Sequence, residues 1–312
     1  MEDYPGTLAE FEARFATEEA CRTYLAALRW PEGFRCTACQ GAEAWQTARA
    51  LWVCRACHRH TSVTAGTIFQ DTRLGLRTWF RAMWWVCSQK TGVSALGLQR
   101  SLGLGSYETA WTLLHKLRRA MVRPGRDQLA GVVEVDETYI GGERPGKRGR
   151  GAAGKTMVLV AAEVVGPDIG RIRLGRTLEG TAPRLAAFVQ RAVAPGSVVR
   201  TDGNEAYAGL AALGYRHKVT LMKRAGGNPD KMLPRVHRVA SLLKRWWLGT
   251  HQGAVQPHQL DYYLDEFTFR FNRRRSRWRG KLFYRLVQQA VQIDPVPYEL
   301  VIKPRRSLGP HR

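Results

Sequence analysis

The chain has 312 residues, 44% of them hydrophobic, enough for two or three separate cores and too apolar for a disordered polypeptide. Lys and Arg number 49 against 26 Asp and Glu, a net charge of +23 with a pI near 10.5, and an excess of that size implies a polyanionic partner. Residues 1–5 are acidic where a secretory signal is basic, and the longest apolar patch, around Trp84-Trp85-Val86, is far too short to cross a bilayer, so a cytoplasmic chain with no membrane partner is expected.

Leu8, Phe11, Phe15, Ala20, Tyr24 and Leu25 recur at helical spacing and predict one helix over 8–28. Two pairs follow, Cys36-Thr37-Ala38-Cys39 and Cys54-Arg55-Ala56-Cys57, fourteen residues apart with a strand signal over 50–53 between them. Four thiolates at this spacing suit one tetrahedral Zn²⁺ in a closed, structural site, without which so small a unit would hardly fold. Cys21 and Cys87 stand alone, a usage that fits a reducing compartment better than a disulfide scaffold. His58 and His60 read as surface residues beside phosphate, with a swapped role as zinc ligands as the alternative.

Leu76, Trp79, Phe80, Met83, Trp84 and Val86 predict a core-facing helix over 74–87. Ser94 then caps a short helix ending at Gly103, and Ser106 caps a second one that runs into Arg118 and Arg119. This is the helix-turn-helix design, whose second helix offers its N-terminal residues to a DNA major groove. A plain helical hairpin has a comparable pattern, and the charge of the chain favours DNA. Residues 122–131, with Pro124 and Gly125, read as a linker.

In Val132-Val133-Glu134-Val135-Asp136-Glu137-Thr138-Tyr139-Ile140, valines alternate with acids as in a strand, and Gly141-Gly142 ends it. Asp136 is expected at the strand's end, and the acids around it would repel one another unless a cation, naturally a divalent metal, sat among them. The Gly-rich loop over 141–155 carries Arg144, Lys147, Arg148 and Arg150. Its segment 149–156 formally matches GxxxxGK[ST], but a strand follows where a phosphate-binding loop needs a helix, so no nucleotide cofactor is expected.

Strands over 157–165 and 170–178, a helix over 181–193 and a strand over 197–203 closing on Asp202 complete the order of an α/β ribonuclease H-like fold, a mixed sheet flanked by helices. Asp136 and Asp202 together can hold two divalent ions roughly 3.5–4 Å apart on a phosphodiester. Hard oxygen ligands suit Mg²⁺ or Mn²⁺. Lys244 lies seven residues, two helical turns, after His237 and on the same face.

The segments CxxC…CxxC, VEVDETYIGG, RTDGNEAY, HRVASLLKRWWLGTHQGAV and YLDEFTFRFNRR resemble the zinc-ribbon-bearing, ISXO-like insertion-sequence transposases of the DDE superfamily, from about residue 30 to residue 290. The resemblance implies a ribonuclease H-like domain that cuts transposon ends and joins the freed 3′-hydroxyl to target DNA. It assigns Asp136 and Asp202 as the first two acids and Lys244 as the basic residue following the third. Where the superfamily has Glu, and this branch can have Asn, the chain has His237. A neutral imidazole can ligate a metal or hydrogen-bond its water but brings no negative charge.

His237 is therefore either a tolerated variation or the mark of a decayed, non-enzymatic DNA-binding regulator. A metal-dependent nuclease of the same fold is a third reading. Glu266 is an alternative third acid, with Arg273 seven residues later, against a plain helical ion pair with Arg270. Residues 270–285 hold eight cations interleaved with Phe271, Trp278, Phe283 and Tyr284, a pattern suited to tracking phosphates and stacking on bases. Expected DNA contacts are Arg118, Arg119, Lys244, Arg245, Arg273, Arg274, Arg275 and Arg277. Expected domains are 1–70 with the N-terminal helix and zinc ribbon, 71–125 with the helix-turn-helix, 126–293 with the catalytic fold, and a basic tail over 294–312. Paired cutting of two ends implies a homo-oligomer.

Overall fold

The computed structural model describes residues 2–123, 125–141, 155–221, 232–253 and 256–302. Arg144, Lys147, Arg148 and Arg150, the GxxxxGK[ST]-like stretch up to Gly154 and the tail from 303 lie outside the described residues. The expected N-terminal helix is two helices, α1 (Leu8–Arg14) and α2 (Glu18–Arg29). The break comes from Thr17, whose hydroxyl accepts from Ala20 N (3.1 Å) as Thr7 accepts from Glu10 N (3.2 Å), so a second cap competes with helix continuation.

Strands β1 (Ala44–Gln46), β2 (Trp52–Cys54) and β3 (His60–Thr61) form a small antiparallel sheet in that order. Helices α3 (Leu76–Ser88), α4 (Ala95–Leu102) and α5 (Tyr107–Ala120) follow. Ser94 and Ser106 cap α4 and α5 through the amides of Gly97 and Thr109, and Gly103 ends α4 at a left-handed φ of 63°.

Residues 124–274 make a compact unit of their own. Strands β4 (Val132–Ile140), β5 (Thr156–Val165) and β6 (Asp168–Thr177) form an antiparallel meander. Helix α6 (Ala182–Ala192) carries the chain to β7 (Val198–Thr201), which runs parallel to β4, and β8 (Arg216–Val219) lies parallel to β7. The sheet order β6-β5-β4-β7-β8, flanked by helices, is that of the ribonuclease H-like fold. Alternation along β4 decides what each face meets. Val133 and Val135 pack with Leu185, Phe188 and Val189 of α6. The other face, through Val158, Val160 and Ile172, packs with α7 (Pro234–His251) and α8 (Leu260–Asn272). The Asn272 side chain accepts from Ile172 N (2.7 Å) and donates to Ile172 O (3.1 Å), so it pairs the edge of β6 as a further strand would.

The other unit comprises residues 1–123 and 275–312, including α9 (Arg279–Ala290) and α10 (Tyr298–Ile302). This division differs from the expected 126–293 domain. The apolar stripe of α9 is the reason: Phe283, 0% exposed, sits among Phe11, Phe15, Tyr24, Phe80 and Trp84 at ring separations of 5.3–6.3 Å. Among the described residues no helix is long and apolar enough to cross a membrane.

Candidate catalytic site and zinc centre

The two CxxC pairs converge. Among the described residues Cys36, Cys39, Cys54 and Cys57 are the one group of three or more His, Cys, Asp or Glu whose donor atoms all lie within 4.8 Å of one another. Cys36 Sγ to Cys57 Sγ and Cys39 Sγ to Cys54 Sγ are each 3.6 Å, close to the ~3.8 Å that separates two sulfurs at about 2.3 Å from a tetrahedral ion. Each pair closes on a residue of left-handed backbone, Gln40 at φ 62° and His58 at φ 56°, which turns the chain back under the sulfurs. Amides of Cys39 and Ala38 lower the Cys36 thiol, whereas the sulfurs of Cys39, Cys36 and Cys54 raise that of Cys57, so the four sulfurs share protons as one cluster. His58 and His60 are exposed and outside the quartet, and the His58 ring faces Trp45. The quartet is a structural zinc site.

In the second unit the parallel pairing of β4 with β7 matches Glu134 to Arg200 and ends at that pair. Carrying the register two residues further sets Asp202 level with Asp136. Asp136 is thus not at the end of its own strand, as expected, but is the fifth residue of nine in β4. The end that matters belongs to β7, which stops at Thr201 and leaves the edge of β4 open beside Asp136.

Asp136 Oδ1 accepts from Glu137 N (2.8 Å), and Oδ2 lies 3.1 Å from His237 Nε2. Asp202 Oδ1 accepts from Asn204 N (3.0 Å). His237 and Lys244, two turns apart on α7, both line an open cleft with Asp136, Thr138 and Ser241. Two octahedral ligands at about 2.1 Å from an ion lie ~3.0 Å apart, so the Asp136–His237 pair fits adjacent positions on a divalent metal. Asp136, Asp202 and His237 do not all fall within the 4.8 Å that the cysteines satisfy.

The acids flanking Asp136 do not simply repel it. Glu134 shares its face of β4, is buried, and its Oε2 accepts from the first-turn amides of α7, Arg235 N (2.7 Å) and Val236 N (3.2 Å). Burial keeps its carboxyl above the usual carboxylate range despite those amides. Glu137 points to the opposite face, where Asn204 Nδ2 donates to Oε1 and the Tyr207 hydroxyl to Oε2, both at 2.8 Å. Burial, aided by the charges of Asp136 and Asp202, raises the Glu137 carboxyl even against the Tyr207 bond. Strand alternation was the sequence signal that separates the two glutamates.

The expected DNA contacts divide. Arg118 is 2% exposed, because it falls on the buried stripe of α5 with Leu114, Leu117 and Met121, and it offers no guanidinium to a phosphate. Arg119 is half-buried. Arg273 lies 4.1 Å over the Phe269 ring. Arg274 lies 4.0 Å over Phe271 and donates to the carbonyls of Ile169 and Gly170. Lys244, Arg245, Arg275 and Arg277 are exposed. Of the interleaved aromatics, Phe271 and Phe283 are core residues, whereas Trp278 is 59% exposed. Glu266 is buried at 1% exposure and bonded to Arg270 Nε (2.9 Å), the ion-pair alternative, and it does not line the cleft of Asp136.

Residues 128–272 match the ISXO2-like transposase domain, and residues 16–60 match the transposase zinc-ribbon domain. An uncharacterized protein in transposable element ISH50 of Halobacterium salinarum is 28% identical over 277 residues, covering 82% of this chain and 91% of its own. A cryoEM structure of the simian T-cell lymphotropic virus intasome in complex with PP2A regulatory subunit B56 gamma aligns over 61% of this chain and 65% of its own, with 15% identity. Its TM-score of 0.30 is too low to bear on the fold, which rests on the sheet itself. The chain thus carries an ISXO2-like transposase domain behind a transposase zinc-ribbon domain.

Proposed function

We propose that the protein is a DNA transposase that binds the ends of its insertion sequence, cuts them and joins the freed 3′-hydroxyl to target DNA. The observation that supports this reading is His237 Nε2 at 3.1 Å from Asp136 Oδ2, on a strand whose parallel pairing with β7 ends two residues short of Asp136 and Asp202. In this reading Asp136, Asp202 and His237 hold Mg²⁺ or Mn²⁺, which supplies Lewis acidity to phosphodiester cleavage. Lys244 reaches from the rim of the same cleft to a backbone phosphate. The α4–α5 pair and the exposed Arg245, Arg275 and Arg277 carry the DNA, and cutting two ends together calls for at least two copies of the chain.

The test incubates purified protein with Mg²⁺ or Mn²⁺ and DNA bearing the element's ends. Cleavage and strand-transfer products are expected from the wild type, and neither Asp136→Asn nor Asp202→Asn should rise above background. Cutting that survives either substitution overturns the assignment, and cutting without joining marks a nuclease of the same fold. The uncharged imidazole of His237 supports a second reading, a DNA-binding regulator whose site has decayed. Strand transfer gained only on His237→Glu would favour it.

A further inference from the structure

We propose that the two glutamates flanking Asp136 are positioning residues: Glu137 fixes the turn that presents Asp202, and Glu134 seats the helix that presents His237. The inference rests on the reading of Asp136, Asp202 and His237 as one site, and concerns how three distant stretches of chain are held in register.

Asp202 lies just beyond the last residue of β7 and so has no ladder of its own to hold it. The Thr201 hydroxyl donates to its carbonyl (2.9 Å), and its carboxylate is held by Asn204. Asn204 donates its backbone amide to Asp202 Oδ1 (3.0 Å) and its side-chain Nδ2 to Glu137 Oε1 (2.8 Å), and its Oδ1 accepts from Ala206 N (3.1 Å). The buried Tyr207 closes the other side through its bond to Glu137 Oε2. One carboxylate, on the residue next to Asp136, thereby accepts from two points of the Asp202–Tyr207 turn. An acceptor with two oxygens is what two converging donors require.

Glu134 does the corresponding work on the other face. At the N-cap of α7, Leu233 offers no side-chain oxygen to the amides of the first turn. The carboxylate of Glu134 accepts two of them from a strand position two residues before Asp136, about 6.6 Å away along a β ladder. His237 is the next residue after these amides, so the carboxylate that anchors the helix start also fixes the distance of the imidazole from Asp136. A substitution at either glutamate is expected to act on the geometry of the site through Asp202 or His237.

The test compares Tyr207→Phe, Glu137→Gln, Glu137→Ala and Glu134→Ala with the wild type by amide hydrogen exchange and by Mn²⁺ affinity from electron paramagnetic resonance. Tyr215→Phe is the control, because it removes a hydroxyl bond to Val193 O (3.0 Å) outside the cluster. Expected are at least tenfold faster exchange over 202–207 in the Tyr207 and Glu137 variants, and over the start of α7 in Glu134→Ala, with β5 protected throughout. Mn²⁺ binding should weaken 10–100-fold, the range for residues that orient ligands, with Glu137→Gln milder than Glu137→Ala and Tyr215→Phe unchanged. Unaltered exchange at both segments overturns the proposal, as does an equal loss of affinity in Tyr215→Phe. A wild type whose Mn²⁺ binding is indifferent to Asp136→Asn overturns the reading of the site instead, while the exchange data still judge the two glutamates.

Discussion

In the proposed reading His237 completes a ligand set of two carboxylates and one imidazole, and its Nε2 lies 3.1 Å from Asp136 Oδ2. Nitrogen donors favour Mn²⁺ over Mg²⁺ in the order of divalent affinities, whereas three carboxylates suit Mg²⁺. Wild-type protein is therefore expected to cut end DNA faster in Mn²⁺ than in Mg²⁺, and His237→Glu to narrow or reverse that ratio. Rates measured in both metals at equal ionic strength check this, and a ratio unmoved by the substitution removes His237 from the ligand set. Asp136 was legible as an acid on a strand, Asp202 as an acid where a strand closes, and His237 through its resemblance-derived place seven residues before Lys244. The roles of Glu134 and Glu137 were not, because each depends on partners 67–102 positions away, on α7 and on the turn after β7. Alternation along β4 could have sent them to opposite faces, and nothing local says what waits there.

Elements whose ends are set by local chemistry were legible in the sequence: Ser94, Gly103 and Ser106 bound α4 and α5 where their side chains and backbone freedom predict. Boundaries set by competition were not, as at Thr17, where a cap wins over an apolar periodicity that runs through it. The zinc ribbon is the extreme local case. Its strands are two or three residues long and its apolar support is a small set of rings, Trp30, Phe34 and Trp52. Without the ion so little burial cannot offset the chain entropy of ordering it. Chelation, or Cys54→Ser, is expected to abolish amide protection over 36–61 and release about one zinc per chain, with β4–β8 still protected. Zinc content by atomic absorption and exchange mapped by mass spectrometry read this out. Persistent protection after complete zinc loss would show a ribbon that folds on its aromatic contacts alone.

Across the whole molecule, a net charge of +23 names a polyanion but not the residues that meet it. The run over 270–285 shows why: Arg270 pairs with Glu266, Lys281 and Arg285 with Glu2, and Arg273 and Arg274 lie on rings. Where the second unit ends was equally illegible, since the apolar stripe of α9 reads like any core helix and its partners Phe11, Phe15 and Phe80 lie 203 to 272 residues upstream. DNA affinity falls with salt by a slope of about −0.9 per phosphate neutralised, so each residue truly on the backbone reduces that slope by about one when its charge is removed. Arg245→Gln and Arg277→Gln are each expected to do so. Arg118→Gln should leave the slope alone and instead lower stability by ~1–3 kcal/mol, because its guanidinium is buried and its neighbours would lose a partner. Binding curves from 50 to 200 mM salt and thermal melts on the same three variants separate the cases. A slope reduced by Arg118→Gln with an unchanged melt would place that arginine on DNA and return α5 to the role its sequence suggests.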